Sequence, residues 1–240
     1  MKKYVLITGA SGGIGKATAI ELAKKGWNLY LHYNQNTVAV KQLLNELTPY
    51  DVELIPIQAD LSTDEGIEKL INNIFHINAI CYVSGISHYG LFIDTPDEIL
   101  NKMWKIHMYA PMKIIKELLP KLMRNSTSQI VLVSSIWGQT GASCEVAYST
   151  VKGAQLAFVK AFSKEVARNG VRINAVAPGA VDTNMLAMFS QEEKLEIEED
   201  IPIGRFASPN EVSNTISFLL SEKSSYITGQ VLSVNGGWYT

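Results

Sequence analysis

Four consecutive apolar positions, Tyr4 to Ile7, lie at the start of the chain and lead into a glycine-rich stretch from Gly9 to Gly15. A short unbroken apolar run bounded by glycine predicts a strand over 4–7 that is covered on both faces, since it has no polar side to show to water. From Ala17 the spacing changes, and Ile20 and Ala23 fall on one side of a helix predicted over 17–25, which Gly26 ends. The alternation then repeats. Strands are predicted over 28–33, 52–58, 79–84, 129–134, 172–176 and 231–234, and helices over 38–47, 64–74, 97–123, 146–168, 191–200 and 209–221. The stretch 97–123 is expected to be interrupted near Pro111 and Pro120, because proline lacks the amide a helix needs. Near-continuous apolar strands alternating with helices predict an α/β fold, a doubly wound parallel sheet of seven strands with helices on both faces.

No internal repeat, low-complexity tract or Pro/Ser/Gly-rich linker divides the chain, so residues 1–240 are expected to form one domain, at about 1.6 times the usual 150 residues. A chain of this size buries roughly 70% of its unfolded surface without staples. The segment 184–205 differs from the rest in being polar and charge-biased. A lid over a site has this character, and so does an ordinary surface excursion. Lys+Arg of 21 against Asp+Glu of 23 leaves a net charge of −2 with no run of like charges, so neither a nucleic-acid nor an anionic-membrane footprint is present. A small-molecule or protein partner is expected instead. Cys81 and Cys144 stand far apart with no CxxC and no histidine at ligand spacing, which suggests neither a disulfide framework nor a metal site. The start Met1-Lys2-Lys3 is basic, but its apolar run is shorter than the roughly 7–15 residues of a signal peptide, and no uncharged apolar stretch reaches the ~18 of a membrane span. A cytoplasmic protein is expected.

The turn after the first strand reads Thr8-Gly9-Ala10-Ser11-Gly12-Gly13-Ile14-Gly15. Glycines at this place let the chain turn tightly and let a pyrophosphate approach the free amides of a helix N-terminus. The alternative is a glycine-rich turn kept only for close packing. A P-loop aligned on Gly15-Lys16 fails, since Ala10 replaces its first glycine and Ala17 its magnesium-binding hydroxyl. Gly9-Ala10-Ser11-Gly12-Gly13 matches a nucleophile elbow formally, but the histidine of such a hydrolase should come late in the chain and the last one here is His107. A second constellation is Tyr148-Ser149-Thr150-Val151-Lys152, with Ser135 at the end of a central strand. Tyr148 and Lys152 share a helical face, and a neighbouring ammonium favours phenolate, bringing a tyrosine towards the working range of acid-base chemistry. Ser135 at the carboxyl edge of the sheet is placed to hydrogen-bond a reacting carbonyl oxygen.

Taken together, these residues make the whole chain resemble the short-chain dehydrogenase/reductase family of NAD(P)-binding Rossmann enzymes. The resemblance implies that Tyr148 protonates a carbonyl oxygen, that Ser135 orients that oxygen, and that Lys152 holds the ribose hydroxyls while lowering the tyrosine pKa. It implies a cofactor site formed by Gly9, Ser11, Gly12, Gly13, Ile14 and Gly15, by Asn34, by Asp60-Leu61 at the adenine, by Gly85, by Tyr148 and Lys152, and by Pro178, Gly179, Val181 and Thr183 around the nicotinamide. Where the family has an asparagine that anchors the proton-supplying water chain, this chain has His107. The imidazole can also donate and accept, so His107 is expected in the relay, and a satisfied core histidine is the alternative. No Asp or Glu occurs between Trp27 and Leu44, where an NAD site places its ribose-binding carboxylate. NADPH is therefore expected over NADH, with Lys41 or His32 as sources of positive charge or as plain polar side chains.

Substrate choice is expected to reside in loops 87–93, 138–145 and 184–205. The strings Ser87-His88-Tyr89-Gly90-Leu91, Ser135-Ile136-Trp137-Gly138, Gly141-Ala142-Ser143-Cys144-Glu145 and Gly179-Ala180-Val181-Asp182-Thr183-Asn184-Met185 are similar to the bacterial elongation factor P 5-aminopentanone reductase subgroup, itself similar to 3-oxoacyl-acyl-carrier-protein reductases. That resemblance implies an NADPH-dependent reduction of a ketone on modified elongation factor P, with substrate contacts at His88 and Glu145. Independently, a carboxylate three residues before Tyr148 is placed to pair a substrate ammonium. The alternative within the class is a 3-oxoacyl-acyl-carrier-protein reductase, whose carrier would seek basic rim residues such as Lys102, Lys105 and Arg124. The alternative outside it is a dinucleotide-binding sensor with little turnover. Similar family members assemble through helices like 97–123 and 146–168, which implies a homotetramer.

Overall fold

The computed structural model describes residues 2–240, and for Met188 the backbone alone; Met1 lies outside the described residues. Seven strands, β1 (Tyr4–Thr8), β2 (Asn28–Tyr33), β3 (Leu54–Gln58), β4 (Ala79–Tyr82), β5 (Ser128–Val133), β6 (Val171–Pro178) and β7 (Val231–Val234), form one sheet in the order β3-β2-β1-β4-β5-β6-β7. Every pairing is parallel. The order changes direction between β1 and β4, and a sheet of this kind opens a crevice at that point along its carboxyl edge.

Nine α-helices accompany the strands among the described residues: α1 (Gly13–Lys24), α2 (Thr37–Leu47), α3 (Asp64–Asn72), α4 (Asp97–Trp104), α5 (Ala110–Leu122), α6 (Trp137–Thr140), α7 (Val146–Val166), α8 (Gln191–Asp200) and α9 (Pro209–Leu219). Successive strand residues point to opposite faces, so the apolar runs feed two cores. Leu6, Tyr82, Leu132 and Ile173 pack with Leu70 of α3, Leu118 of α5 and Val159 of α7. Val5, Ile7, Val131 and Val176 pack with Leu22 of α1, Leu43 of α2 and Ile216 of α9. Each such fully buried side chain is worth about 1.5–3 kcal/mol over its exposed form. This two-sided burial is why the strands read as continuous apolar runs.

Most elements agree with the sequence expectation to within two residues, and two differ for identifiable reasons. The first helix begins at Gly13 rather than at residue 17, because the glycine turn is itself the first helical turn. A Cβ on Gly15 would lie 2.2 Å from the Gly9 carbonyl oxygen, so close packing overrides glycine's poor helix propensity. The break expected near Pro111 and Pro120 lies further upstream. Pro120 sits inside α5 near its end, while a π-helical turn, Lys105–Tyr109, joins α4 to α5. Pro111 has no amide to offer the carbonyl four residues back, and its ring crowds that carbonyl, which belongs to His107. The helix widens at that residue. Segment 184–205 forms a 3-10 turn, Asn184–Met188, followed by α8, whose N-terminus carries a Ser190/Glu193 capping box. Among the described residues no helix is long and apolar enough to cross a membrane, and Cys81 and Cys144 are unpaired.

Candidate active site

Gly9, at the end of β1, has φ +69°, a left-handed conformation suited to glycine, and a Cβ there would meet the Ser84 backbone at 3.1 Å. A Cβ on Gly13 would lie 2.6 Å from Thr183 Cγ2, so the turn seats directly against the loop after β6. At Gly12, by contrast, a Cβ would meet only the Gly9 carbonyl, at 3.5 Å. The N-terminus of α1 has no side-chain cap and no acidic residue in its first turn. Its first helical bond runs from the Lys16 amide to the Gly12 carbonyl, 2.8 Å, so the amides of Gly13, Ile14 and Gly15 precede it at the positive end of the helix dipole. This arrangement fits the pyrophosphate of a dinucleotide, with a bare backbone where an anion would rest.

On one flank, the Asp60 carboxylate accepts hydrogen bonds from the Ser62 amide (2.9 Å) and hydroxyl (2.7 Å). Burial raises its pKa, but these bonds outweigh that and hold it below the usual carboxylate range. His32 at the end of β2 is buried; its Nδ1 accepts from the Gly9 amide at 3.2 Å and its Nε2 donates to the Ala59 carbonyl at 3.0 Å. Burial pushes its pKa down to about 4, so the ring is neutral at pH 7. The positive charge considered for His32 is thus absent, and Lys41 is exposed on α2 outside the cleft. Asn34 stands at the cleft mouth.

On the other flank, Tyr148, Lys152 and Gln155 follow one another along the buried face of α7. Lys152 Nζ donates to the Val133 carbonyl at 2.8 Å and lies 5.4 Å from the Tyr148 ring centroid. Burial draws its pKa down to about 7. Ser135 Oγ accepts from the Trp137 amide at 3.2 Å, which leaves its own proton to donate. Backbone packing sets these elements in register: a Cβ on Gly138 of α6 would lie 2.7 Å from the Lys152 carbonyl carbon, and Ser134 Oγ donates to the Lys152 carbonyl at 2.9 Å. The expectation that Lys152 lowers the Tyr148 pKa is not met. Burial, followed by the Glu145 charge, pushes the phenol above its ordinary value, opposed only by the Ser135 hydroxyl, so Tyr148 carries its proton at neutral pH.

A single cleft at the carboxyl edge is lined by all sixteen residues expected at the cofactor and by Ser135. His107, His88 and Glu145 do not line it. His107 is fully buried behind Tyr148, their rings 5.7 Å apart and perpendicular, with Nε2 against the Ile86 amide (3.1 Å) and carbonyl (2.9 Å). Burial and the neighbouring Lys152 hold its pKa down to about 3. A Cβ on Gly85 would lie 2.7 Å from His107 Cε1. His88 folds back towards Gly90 on its own loop. Glu145 is half-buried at the start of α7, its pKa raised by burial and partly offset by a hydrogen bond from Trp137. The cleft also draws on His32, on Ser84 beside Gly85, and on Asn184 and Met185 of the 184–205 loop, and it adds Ile106 and Ser134, which the sequence reading did not place there. Of these two, Ser134 carried a signal, standing directly before Ser135 at the end of the strand predicted over 129–134.

Comparison with known proteins gives three findings. A family model described as enoyl-(acyl carrier protein) reductase matches residues 9–239. Among curated relatives, an uncharacterized oxidoreductase, YmfI of Bacillus subtilis (strain 168), is 53% identical over 241 residues, covering 100% of both chains. The 3-oxoacyl-acyl-carrier-protein reductase FabG of Aquifex aeolicus (strain VF5) is 35% identical over 242 residues, covering 99% of this chain and 97% of its own. Among solved structures, the angucycline C-6 ketoreductase LanV with bound NADP superposes with a TM-score of 0.93 at 23% identity, covering 98% of this chain and 95% of that one, a likeness of fold.

Proposed function

Because this chain belongs to the short-chain dehydrogenase/reductase family, we propose that it is an NADPH-dependent ketone reductase whose substrate is the 5-aminopentanone group on modified elongation factor P. One observation carries the catalytic part: Ser135, Tyr148 and Lys152 meet the glycine turn in one cleft at the switch point of the sheet. NADPH, when bound, supplies the hydride, held by the amides of α1 and by the residues around Asp60, Asn34 and Thr183. The protein's own residues manage the proton. Tyr148 starts as a neutral phenol, the form required to donate to a carbonyl oxygen as it gains negative charge. Ser135, its oxygen already accepting from Trp137, turns its O–H to the same oxygen and orients it. Lys152 binds ribose hydroxyls and, titrating near pH 7, returns a proton to Tyr148. His107 joins the relay as a neutral hydrogen-bonding group. The segment 184–205 acts as the lid, since Asn184 and Met185 face the cleft and Phe189 meets Tyr89 edge-on at 6.0 Å.

Glu145 supports the amine-bearing substrate. It is half-buried, acts electrostatically on Tyr148, and is in no salt bridge among the described residues. Trp137 bonds to it and packs against Trp238 with centroids 5.1 Å apart, and indole faces favour a cation. His88 belongs to the same rim. The second reading is 3-oxoacyl-acyl-carrier-protein reduction, favoured by the likeness to FabG. We place the enzyme in the cytoplasm as a homotetramer.

The test is oxidation of NADPH, with NADH alongside, on 5-aminopentanone-modified elongation factor P and on an acetoacetyl carrier thioester. Turnover confined to the modified factor supports the first reading, turnover on the thioester alone the second. No turnover on any ketone despite tight NADPH binding would leave a dinucleotide sensor. Glu145→Gln is expected to raise KM for an aminoketone about tenfold or more while changing a neutral ketone little, as for loss of a charge-assisted pair. Equal effects on both would remove Glu145 from the substrate site.

A further inference from the structure

Behind Lys152, the polar stripe of α7 continues to Gln155, which is fully buried and reaches no part of the cleft. Its Nε2 donates to the His107 carbonyl at 2.8 Å. That carbonyl lacks the usual donor four positions on, because that residue is Pro111, which has no amide. Gln155 reaches in from the neighbouring helix to supply a donor at this point, inside the π-helical turn. Two polar atoms here have no partner, Gln155 Oε1 and His107 Nδ1, so the carboxamide is committed to this single bond. A buried amide oxygen left without a partner costs stability, so the bond made by the other end of the same group calls for an account. The arrangement it fixes is the His107 ring, edge-on to Tyr148 and bonded to the backbone of Ile86, a residue that lines the cleft.

We propose that Gln155 is a positioning residue for proton transfer: by holding the His107 carbonyl it sets the π-helical turn, and through His107 it sets the ring of Tyr148 and the cleft wall at Ile86. The role of Tyr148 rests on the reductase reading above. The coupling of Gln155 through His107 to Ile86 does not, which lets the two be tested apart.

Two variants decide it, read by kinetics and by amide exchange. Gln155→Leu leaves the His107 carbonyl without its donor, a loss expected to lower kcat fivefold or more while KM and NADPH affinity stay within about twofold. The solvent deuterium isotope effect on kcat should rise, since a misplaced phenol makes proton transfer more limiting. Gln155→Glu is the rescue: a buried, protonated carboxylic acid still donates, so activity should stand near wild type at pH 6 and fall towards the Leu level as the group ionises. In the ligand-free protein, amide exchange at Ile86 should quicken at least fivefold in Gln155→Leu, whether or not any ketone is turned over. Unchanged exchange at Ile86 in a folded Gln155→Leu protein overturns the proposal. So does a Gln155→Glu enzyme whose loss, relative to wild type, is the same at every pH. A wild-type protein that reduces no ketone refutes the reductase reading instead, and the exchange measurement still decides the role of Gln155.

Discussion

Replacing Lys152 with methionine should make the protein more stable and inactive at once. In the folded chain the Lys152 ammonium is buried and its pKa falls from 10.5 to about 7. The unfolded chain therefore binds a proton more readily than the folded one between those values. Stability from this group is complete only above pH 10.5 and is lost as pH falls towards 7, where the whole burial penalty is felt. At 1.36 kcal/mol per pKa unit that penalty is about 5 kcal/mol. Methionine removes it while keeping the length of the side chain, and it gives up the 2.8 Å bond to the Val133 carbonyl, worth about 1 kcal/mol. The ligand-free variant should therefore be about 4 kcal/mol more stable than wild type at pH 7, lose that advantage by about 1.4 kcal/mol per pH unit, and become the less stable protein near pH 10. Urea unfolding of both proteins at pH 7, 8, 9 and 10, at one protein concentration, measures the difference and cancels the other titrating groups. A difference that stays flat with pH, or a variant less stable at pH 7, would show that Lys152 does not carry its charge at the cost of the fold.

Tyr148→Phe is expected to lower kcat by about 10²–10⁴, the usual contribution of a placed general acid, with NADPH affinity nearly unchanged in fluorescence titration; a loss below tenfold would assign the proton to another donor. Asn34→Asp supplies a carboxylate at the mouth of the cleft, where no acidic side chain stands between residues 27 and 44. It is expected to turn the kcat/KM ratio for NADPH over NADH by tenfold or more towards NADH. An unchanged ratio would mean that the ribose end of the cofactor lies elsewhere.

The residues that line the cleft were legible where chemistry coincides with chain order. The glycines after β1, Asp60 after β3, and Tyr148 and Lys152 one helical turn apart all declare themselves locally, and the apolar strands carry them to one edge. What escaped is set by contacts distant in sequence. Pro111 was visible, but its effect falls four residues earlier on His107, and a π-helical turn leaves the apolar periodicity of 97–123 almost intact. Gln155 is an ordinary helix residue until α7 packs against that turn. The sign of the Tyr148 perturbation was also out of reach, because the lysine is visible in sequence and the depth of burial is not.

The contact between Gly85 and His107 constrains how such a chain can change over generations. The imidazole lies where a side chain at position 85 would begin, so an alanine there must displace a ring that is fully buried and bonded to Ile86. A larger residue at 85 becomes tolerable only after 107 has shrunk, whereas a smaller residue at 107 is open at once and leaves room behind it. Substitutions at the two sites are therefore ordered in time, and a lineage that has acquired histidine at 107 has closed the direct route to any other residue at 85.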